Sequence, residues 1–396
     1  MKINWIERFV RVEELVPFEQ NPRKISDADY KKLIESLTQD GYHQRIIATH
    51  NLRVIGGHQR IKALKELGVK EITVLVPDVE ISDAQFKRIM VRDNLSFGQW
   101  EMQSLGELLP FGELLELGIT GAKPKATAND DDVPSTPAVP LSAPGDVWLL
   151  GTHRVMCGDS TDPVAVALLM DGVQADMWLT DPPYNVAYEG KTKDSLTIQN
   201  DAMGDGQFFQ FLKDAYSAAN SVMKPGAVFY IWHADSEGYN FRGAAKAIGW
   251  QVRQCIIWVK SQIVMGRQDY HWKHEPCLYG WKDGAAHCWA SDRKQSTVLE
   301  FDKPSRNGEH PTMKPVALIE YQMNNNTRPG DVVLDSFLGS GTTLISAEKS
   351  SRRCYGLELD PIYCDVAVKR WQEFTGQKAI HLQTRKSFDE LNDERA

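Results

Sequence analysis

Apolar residues recur along this chain with two different periods, and the change between them outlines the elements. Tyr30, Leu33, Ile34 and Leu37 follow a helical spacing after Ser26, a capping residue, and the pattern stops near Gly41. Arg45–Thr49 and Leu52–Ile55 read as strands flanking a turn at His50-Asn51. Gly56-Gly57 opens a second helix with Ile61, Leu64 and Leu67 on one face, ended by Gly68. Glu71–Val76 is strand-like, and Ser82-x-x-Gln85 is a capping box for a third helix carrying Phe86, Ile89 and Met90. Residues 99–120 suggest a short helical extension. From residue 146 on, short apolar runs alternate with helical patterns. The strand-like runs are Arg154–Cys157, Ala175–Thr180, Ala227–Trp232, Gln251–Val259, Cys277–Trp281, Val332–Asp335 and Arg353–Glu358. Helical patterns fall at Phe208–Ala219, Val316–Asn324, Thr342–Lys349 and Tyr363–Phe374. This alternation predicts an α/β fold, a mostly parallel sheet with helices on both faces and ligands at the carboxyl ends of its strands.

Between the two patterns lies GAKPKATANDDDVPSTPAVPLSAPG, residues 121–145, which has neither period and reads as an exposed linker. The expected organisation is therefore a small α/β domain over 1–98, the extension over 99–120, the linker over 121–145, a large domain over 146–380 and a tail over 381–396. A length of 396 residues supports two or three domains, and 42% hydrophobic with 25% charged residues is ordinary globular usage. No apolar run approaches the roughly 18 residues of a membrane span, and the first residues lack the apolar core of a secretory signal. Six scattered cysteines without a CxxC pair fit a reducing cytoplasm. The net charge of −8 argues against a general nucleic-acid coat. Its distribution qualifies this: residues 1–98 carry +2, residues 99–150 carry −6 and the remainder −4.

Two strand-end turns carry the chemistry. Thr180-Asp181-Pro182-Pro183-Tyr184-Asn185 follows a buried-type strand. Its two prolines remove two backbone donors. A carboxylate, a carbonyl and an aromatic ring remain, which suit a planar heterocycle with an exocyclic amino group, adenine or cytosine. The second turn, Asp335-Ser336-Phe337-Leu338-Gly339-Ser340-Gly341-Thr342, runs from a strand into a helix. Its glycines let a ligand approach the backbone, and the helix start favours an anionic group. It lacks the Gly-Lys-Ser/Thr of a P-loop, and Leu344 stands where a full GxGxxG has its third glycine. Glu358, at the end of the following strand, suits a ribose diol. A nucleoside without a pyrophosphate, such as S-adenosyl-L-methionine, fits that set.

Residues 146–375 resemble the DNA amino-methyltransferases of the beta arrangement, in which a DPPY motif precedes the FxGxG motif. Asp181 precedes Phe337 by 156 residues. His310-Pro311-Thr312-Met313-Lys314-Pro315 matches the family's HPTxKP segment. Lys224-Pro225-Gly226-Ala227 and Cys157-Gly158-Asp159-Ser160 resemble two others. The resemblance implies a Rossmann-like domain transferring a methyl group from S-adenosyl-L-methionine to an exocyclic nitrogen of a base flipped from double-stranded DNA. Asp181, Pro182, Pro183 and Tyr184 would be catalytic. Asp159, Thr312, Lys314, Asp335, Phe337, Gly339, Ser340, Gly341, Thr342 and Glu358 would hold the cofactor. An Asp at the head of the tetrapeptide points to adenine N6, and cytosine N4 is the alternative. A cytosine-C5 enzyme would need a nucleophilic cysteine, and Pro276-Cys277 is the only Pro-Cys pair.

Residues 261–309 interleave basic and aromatic side chains and are the expected target-recognition region. Over 260–315 there are nine Lys/Arg against seven Asp/Glu. Lys191, Lys193, Arg267, Lys273, Arg293 and Lys294 are the candidate DNA contacts. The segment between Tyr188 and Met203 is polar and suits movement on binding. His271, His274, Cys277, His287 and Cys288 match no zinc spacing, so no metal is expected. Asn21-Pro22-Arg23 and the Gly56–Ala63 turn resemble the ParB/sulfiredoxin-like fold, which implies a DNA-binding or a CTP- or ATP-binding accessory domain using Arg23, Gly57 and Arg60. His58-Gln59 replaces that family's Glu-Arg, removing one phosphate-binding charge. A ParB-like regulator with a non-catalytic methyltransferase module is a competing reading, as is transfer to RNA or to a protein glutamine. Monomer and homodimer both remain open, and restriction–modification is one setting for such an enzyme.

Overall fold

The structure is a computed structural model that describes residues 3–19, 23–25, 27–93, 99–100, 128–186, 202–265, 269–302 and 313–395. It divides into two compact units, Met1–Pro124 and Lys125–Ala396.

In the first unit, β1 (Trp5–Arg11), β5 (Glu71–Pro77), β3 (Ile46–Ala48) and β4 (Val54–Gly56) form one sheet in that order. A short pair, β2 (Arg23–Lys24) with β6 (Gln99–Trp100), stands apart from it. Strands β3 and β4 are the antiparallel hairpin foreseen around His50-Asn51. Among the described residues of the unit the α-helices are α1 (Asp27–Gln39), α2 (His58–Glu66) and α3 (Asp83–Asp93). The capping box at the start of α3 is formed: the Ser82 backbone donates to Gln85 Oε1 at 2.9 Å, and Gln85 donates back to Ser82 Oγ at 3.3 Å. Strand β1 escaped the pattern reading because it is an edge strand whose side chains are mostly exposed, with only Val10 buried.

The second unit is a ten-stranded sheet. Its strands are β7 (Val147–Leu150), β8 (His153–Cys157), β9 (Ala175–Thr180), β10 (Met223–Trp232), β11 (Gln251–Val264), β12 (Trp272–Trp281), β13 (Val298–Glu300), β14 (Val332–Asp335), β15 (Arg353–Glu358) and β16 (Ile380–His381). The order across the sheet is β13-β11-β12-β10-β9-β14-β15-β8-β7-β16. The five central strands, β10-β9-β14-β15-β8, run parallel, and β12, β7 and β16 join antiparallel. Alternate residues of the central strands bury on opposite faces. Trp178 and Leu334 pack with α4 (Pro163–Met170), α5 (Asp205–Val222) and α6 (Gly238–Ala247). Met177, Leu179 and Val333 pack with α7 (Val316–Asn326), α8 (Thr342–Lys349) and α9 (Pro361–Thr375). This is the α/β architecture the alternation predicts.

Adjacent strands β9 and β14 lead in opposite directions. After β9 the chain passes through α5 to β10 on one side, and after β14 it passes through α8 on the other face to β15. The carboxyl ends of β9 and β14 therefore flank a topological switch point, where open α/β sheets place their ligands.

Two segments differ from the expected organisation. From residue 128 the proposed linker is packed on the second unit. Leu141 and Ser142 are buried, the Ser142 backbone N–H donates to Asp365 at 3.0 Å, and Asp131 accepts the Val316 N–H at 3.0 Å. The stretch has no secondary-structure period because its backbone groups pair with side chains of the domain. Residues 121–127 and 101–120 lie outside the described residues. The expected tail is also built in. Strand β16 pairs with β7, and Phe388 at the start of α10 (Phe388–Arg395) packs on Trp148 with ring centroids 5.1 Å apart.

Candidate active site

Strand β9 delivers Asp181 at the switch point. Thr180 Oγ1 donates to Asp335 Oδ1 at 3.0 Å across the adjacent strand ends, so the two chemistry-bearing turns are fastened side by side. Asp335 also accepts the Phe337 N–H at 3.0 Å, and burial raises its carboxyl pKa to about 6. The Trp178 indole donates to Ser336 Oγ at 3.0 Å, fixing the start of the glycine turn.

That turn is held from three directions. Leu338 N–H bonds to the Leu357 carbonyl at 2.8 Å. Buried Arg370, on α9, donates to the Ser340 carbonyl at 3.0 Å and lies 3.4 Å from Thr342 Oγ1. Gly339 N–H donates to Glu358 Oε2 at 2.7 Å, while Asp360 N–H donates to its other oxygen at 2.9 Å. Gly341 has φ +84°, and a Cβ there would lie 3.2 Å from Ala367 Cβ, so a glycine is required on two grounds. Gly339 faces open space instead, with nothing within 4 Å of an added Cβ. Burial pushes the Glu358 carboxyl up to about 7. An open glycine face, a helix start and a sunken carboxylate suit a ribose and an amino-acid carboxylate, the two polar ends of S-adenosyl-L-methionine. Asp159 stands exposed after β8, its carboxylate accepting the backbone and side chain of Thr161, both at 2.8 Å.

The Asp181 turn is a charged network. Lys314 Nζ pairs with Asp181 Oδ2 at 2.5 Å and lies 2.9 Å from the Tyr184 hydroxyl. The Tyr184 hydroxyl donates to Asp181 Oδ1 at 2.5 Å. Lys314, an expected cofactor contact, is buried with its ammonium on the Asp181 carboxylate. Two further members had no motif to announce them: Glu275 on β12, 3.3 Å from Lys314, and Lys260 on β11, 2.5 Å from Glu275. A lone acid inside the apolar run Pro276–Trp281 and its approach was the available signal. Below Tyr184, the Asn185 side chain brackets Met203, donating to its carbonyl at 3.1 Å and accepting its N–H at 2.6 Å.

Cys277 is fully buried, and burial raises its thiol well above the ordinary range, so it is not the nucleophile a cytosine-C5 reaction needs. His287 stacks on Trp281 at 3.9 Å, and no grouping suited to a metal occurs among the described residues. Lys273, Arg293 and Lys294 are exposed. Lys191, Lys193, Arg267, Thr312 and most of the segment between Tyr188 and Met203 lie outside the described residues.

Residues 175–369, which include both turns and the network, match the model of the DNA methylase family. A relative named “Putative methylase YubD” from Escherichia coli (strain K12) is 30% identical over 198 residues, half of this chain and 82% of that protein. The chain belongs to the DNA methylase family. The type II methyltransferase M.HpaI of Haemophilus parainfluenzae is 26% identical over 242 residues, 55% of this chain and 75% of the relative. The crystal structure of an M1.HpyAVI–SAM complex is 24% identical, with a TM-score of 0.42, covering 55% of this chain and 98% of that one. Residues 3–95 match the ParB N-terminal domain. The methylase is thus a DNA-modifying enzyme.

In the ParB-like unit, Gly57 caps α2 with φ +97°. His58 is half-buried, its pKa lowered by desolvation to about 4, and its Nε2 accepts the Phe18 N–H at 3.2 Å. Arg60 bonds to Gln44. Arg23 lies on β2, paired with Trp100.

Proposed function

We propose that the methylase transfers a methyl group to N6 of an adenine turned out of double-stranded DNA, at the Asp181–Tyr184 turn. The observation that carries this reading is the Asp181 carboxylate, fixed by Lys314 and Tyr184 beside the glycine turn at the switch point. S-adenosyl-L-methionine supplies an electrophilic methyl group on a sulfonium. Glu358 binds the ribose hydroxyls, and Gly339, Ser340, Gly341 and Thr342 at the start of α8 receive the carboxylate. Asp335, Phe337 and Asp159 line the remainder. An exocyclic amino nitrogen is a poor nucleophile because its lone pair is delocalised into the ring. Acceptance of its two N–H groups by Asp181 and the Pro182 carbonyl favours the pyramidal form that attacks, an interaction strongest in the transition state. Pro183 keeps the turn rigid, and the Tyr184 ring stacks on the extruded base.

The Asp at the head of the tetrapeptide favours adenine. Cytosine N4 presents the same donors and is the second reading. Asp181→Ala is expected to lower kcat by about 100-fold or more while S-adenosyl-L-methionine still binds, measured by labelled methyl transfer and calorimetry. Full activity in that variant would overturn the assignment.

The ParB-like unit acts in this reading as an accessory contact to DNA. The finer expectations, CTP or ATP at Arg23, Gly57 and Arg60 and a homodimer, are tested by nucleotide titration and sedimentation of the full chain. Work in the cytoplasm is supported by six free cysteines and a DNA substrate. No described helix is long and apolar enough to cross a membrane.

A further inference from the structure

Four charged side chains stand in a row of alternating sign: Lys260, Glu275, Lys314 and Asp181. The successive separations are 2.5, 3.3 and 2.5 Å. Lys314 is 4% exposed, Lys260 11% and Glu275 19%, and the row opens to water only at Asp181, 35% exposed. Rings close over the lysine: Tyr184 and Trp232 have their centroids 5.4 and 5.2 Å from Nζ.

One lysine would suffice to neutralise Asp181. A buried Lys–Asp pair with no other partner, however, spends the whole ammonium on that carboxylate and leaves it a weak acceptor. Glu275 divides the ammonium between two acids, and Lys260 balances Glu275 in turn. Glu275 also stands 3.5 Å from the Tyr184 hydroxyl, which now occupies Asp181 Oδ1. It is therefore a second acceptor to which that hydroxyl can turn when an amino group takes Oδ1.

We propose that Glu275 is a positioning residue for methyl transfer, acting through Lys314 and Tyr184 to keep the Asp181 carboxylate aimed and free to accept the target amino group. The inference rests on the reading of Asp181 as that acceptor. Burial alone would lower the Lys314 pKa, and the Asp181 and Glu275 carboxylates reverse this, holding it above the ordinary lysine value. Burial likewise raises Glu275, and Lys314 with Lys260 overcomes it, leaving the acid below its ordinary value. The other titratable groups facing the row are Tyr184, His233 just after β10, Cys277 on β12 and Asp335 on β14. Burial keeps the first three neutral near pH 7, and Asp335 titrates at about 6, so none of them ionises between pH 7 and 9.

The test is the pH–rate profile of DNA methylation between about pH 6 and 9.5, using the full chain as wild type, Glu275→Gln, Glu275→Asp, Lys314→Met and the Lys314→Met/Glu275→Gln double variant. Lys314→Met removes the cation between Asp181 and Glu275 and leaves only Lys260, on Glu275, so Asp181 takes up a proton more readily and the acidic limb moves up by about one unit or more. Removing the second acid in the double variant returns that limb to within about half a unit of wild type. Glu275→Gln lowers kcat by about 3- to 10-fold with KM for DNA within about twofold, and Glu275→Asp recovers most of it. A double variant no better than Lys314→Met overturns the proposal, as does a Glu275→Gln loss confined to KM or thermal stability. Should Lys314→Met not fold, the Glu275→Gln and Glu275→Asp pair decides alone through the split between kcat and KM. A wild type that labels no DNA refutes the proposed function; an active wild type with unmoved profiles refutes only the role of Glu275.

Discussion

Glu358 holds two backbone N–H groups with its two oxygens, from Gly339 and Asp360, yet burial raises its pKa to about 7. The sign of the consequence follows from which form binds. Ribose hydroxyls donate best to the anion, and the anion is lost as pH falls through about 7. Binding of S-adenosyl-L-methionine is therefore expected to tighten by up to about tenfold between pH 6 and 8. In Glu358→Gln, calorimetry should give weaker binding with a flat pH dependence across that range. An equally steep slope in the variant would remove Glu358 from the cofactor site. Asp181 and Glu358 were both legible as residues, since each ends an apolar strand at a turn with unusual composition. Glu275 and Lys260 were not: 94 residues separate Asp181 from Glu275, and the pairing of β10 with both β9 and β12 brings them together.

The buried parallel strands were the most legible elements. Ala175–Thr180, Val332–Asp335 and Arg353–Glu358 have the bounds their apolar runs suggest, because strands covered on both faces carry almost nothing else. Helix α4 was hidden because Pro163–Met170 is apolar all round, exposed Val164 and Leu168 included, and shows no helical period. The β11–β12 hairpin was foreshortened for the opposite reason. Past Lys260 its residues are exposed, so no buried face marks the strand, and β11 continues from Val259 to Val264, about 16 Å further at 3.3 Å per residue. The extension rises from Lys260 and Glu275 and carries Met265, 74% exposed, and Tyr270, 90% exposed, with Lys273 nearby. On the proposed reading this hairpin meets DNA. Lys273→Ala should weaken DNA binding on all sequences and reduce the slope of log K against log salt by about 1. Tyr270→Ala should cost about tenfold in DNA affinity. Binding of S-adenosyl-L-methionine should be unchanged in both, and wild-type DNA affinity in both would move the interface elsewhere.

Across the whole molecule, the acidic stretch that dominated the net charge has a structural use. Asp130 pairs with Lys349, its carbonyl accepts from Arg370, and Asp131 receives the first N–H of α7. Part of the −6 over residues 99–150 is thus spent on cations of the methylase unit rather than presented to DNA. The composition therefore concealed what the pattern of turns disclosed, a DNA-modifying chain joined to a ParB-like unit. The claim on which the rest depends is the identity of the methylated atom. The full chain should be incubated with labelled S-adenosyl-L-methionine and unmethylated duplex DNA, and the DNA digested to nucleosides for mass spectrometry. The account predicts label in N6-methyldeoxyadenosine alone; label in N4-methyldeoxycytidine, or none in DNA, would contradict it.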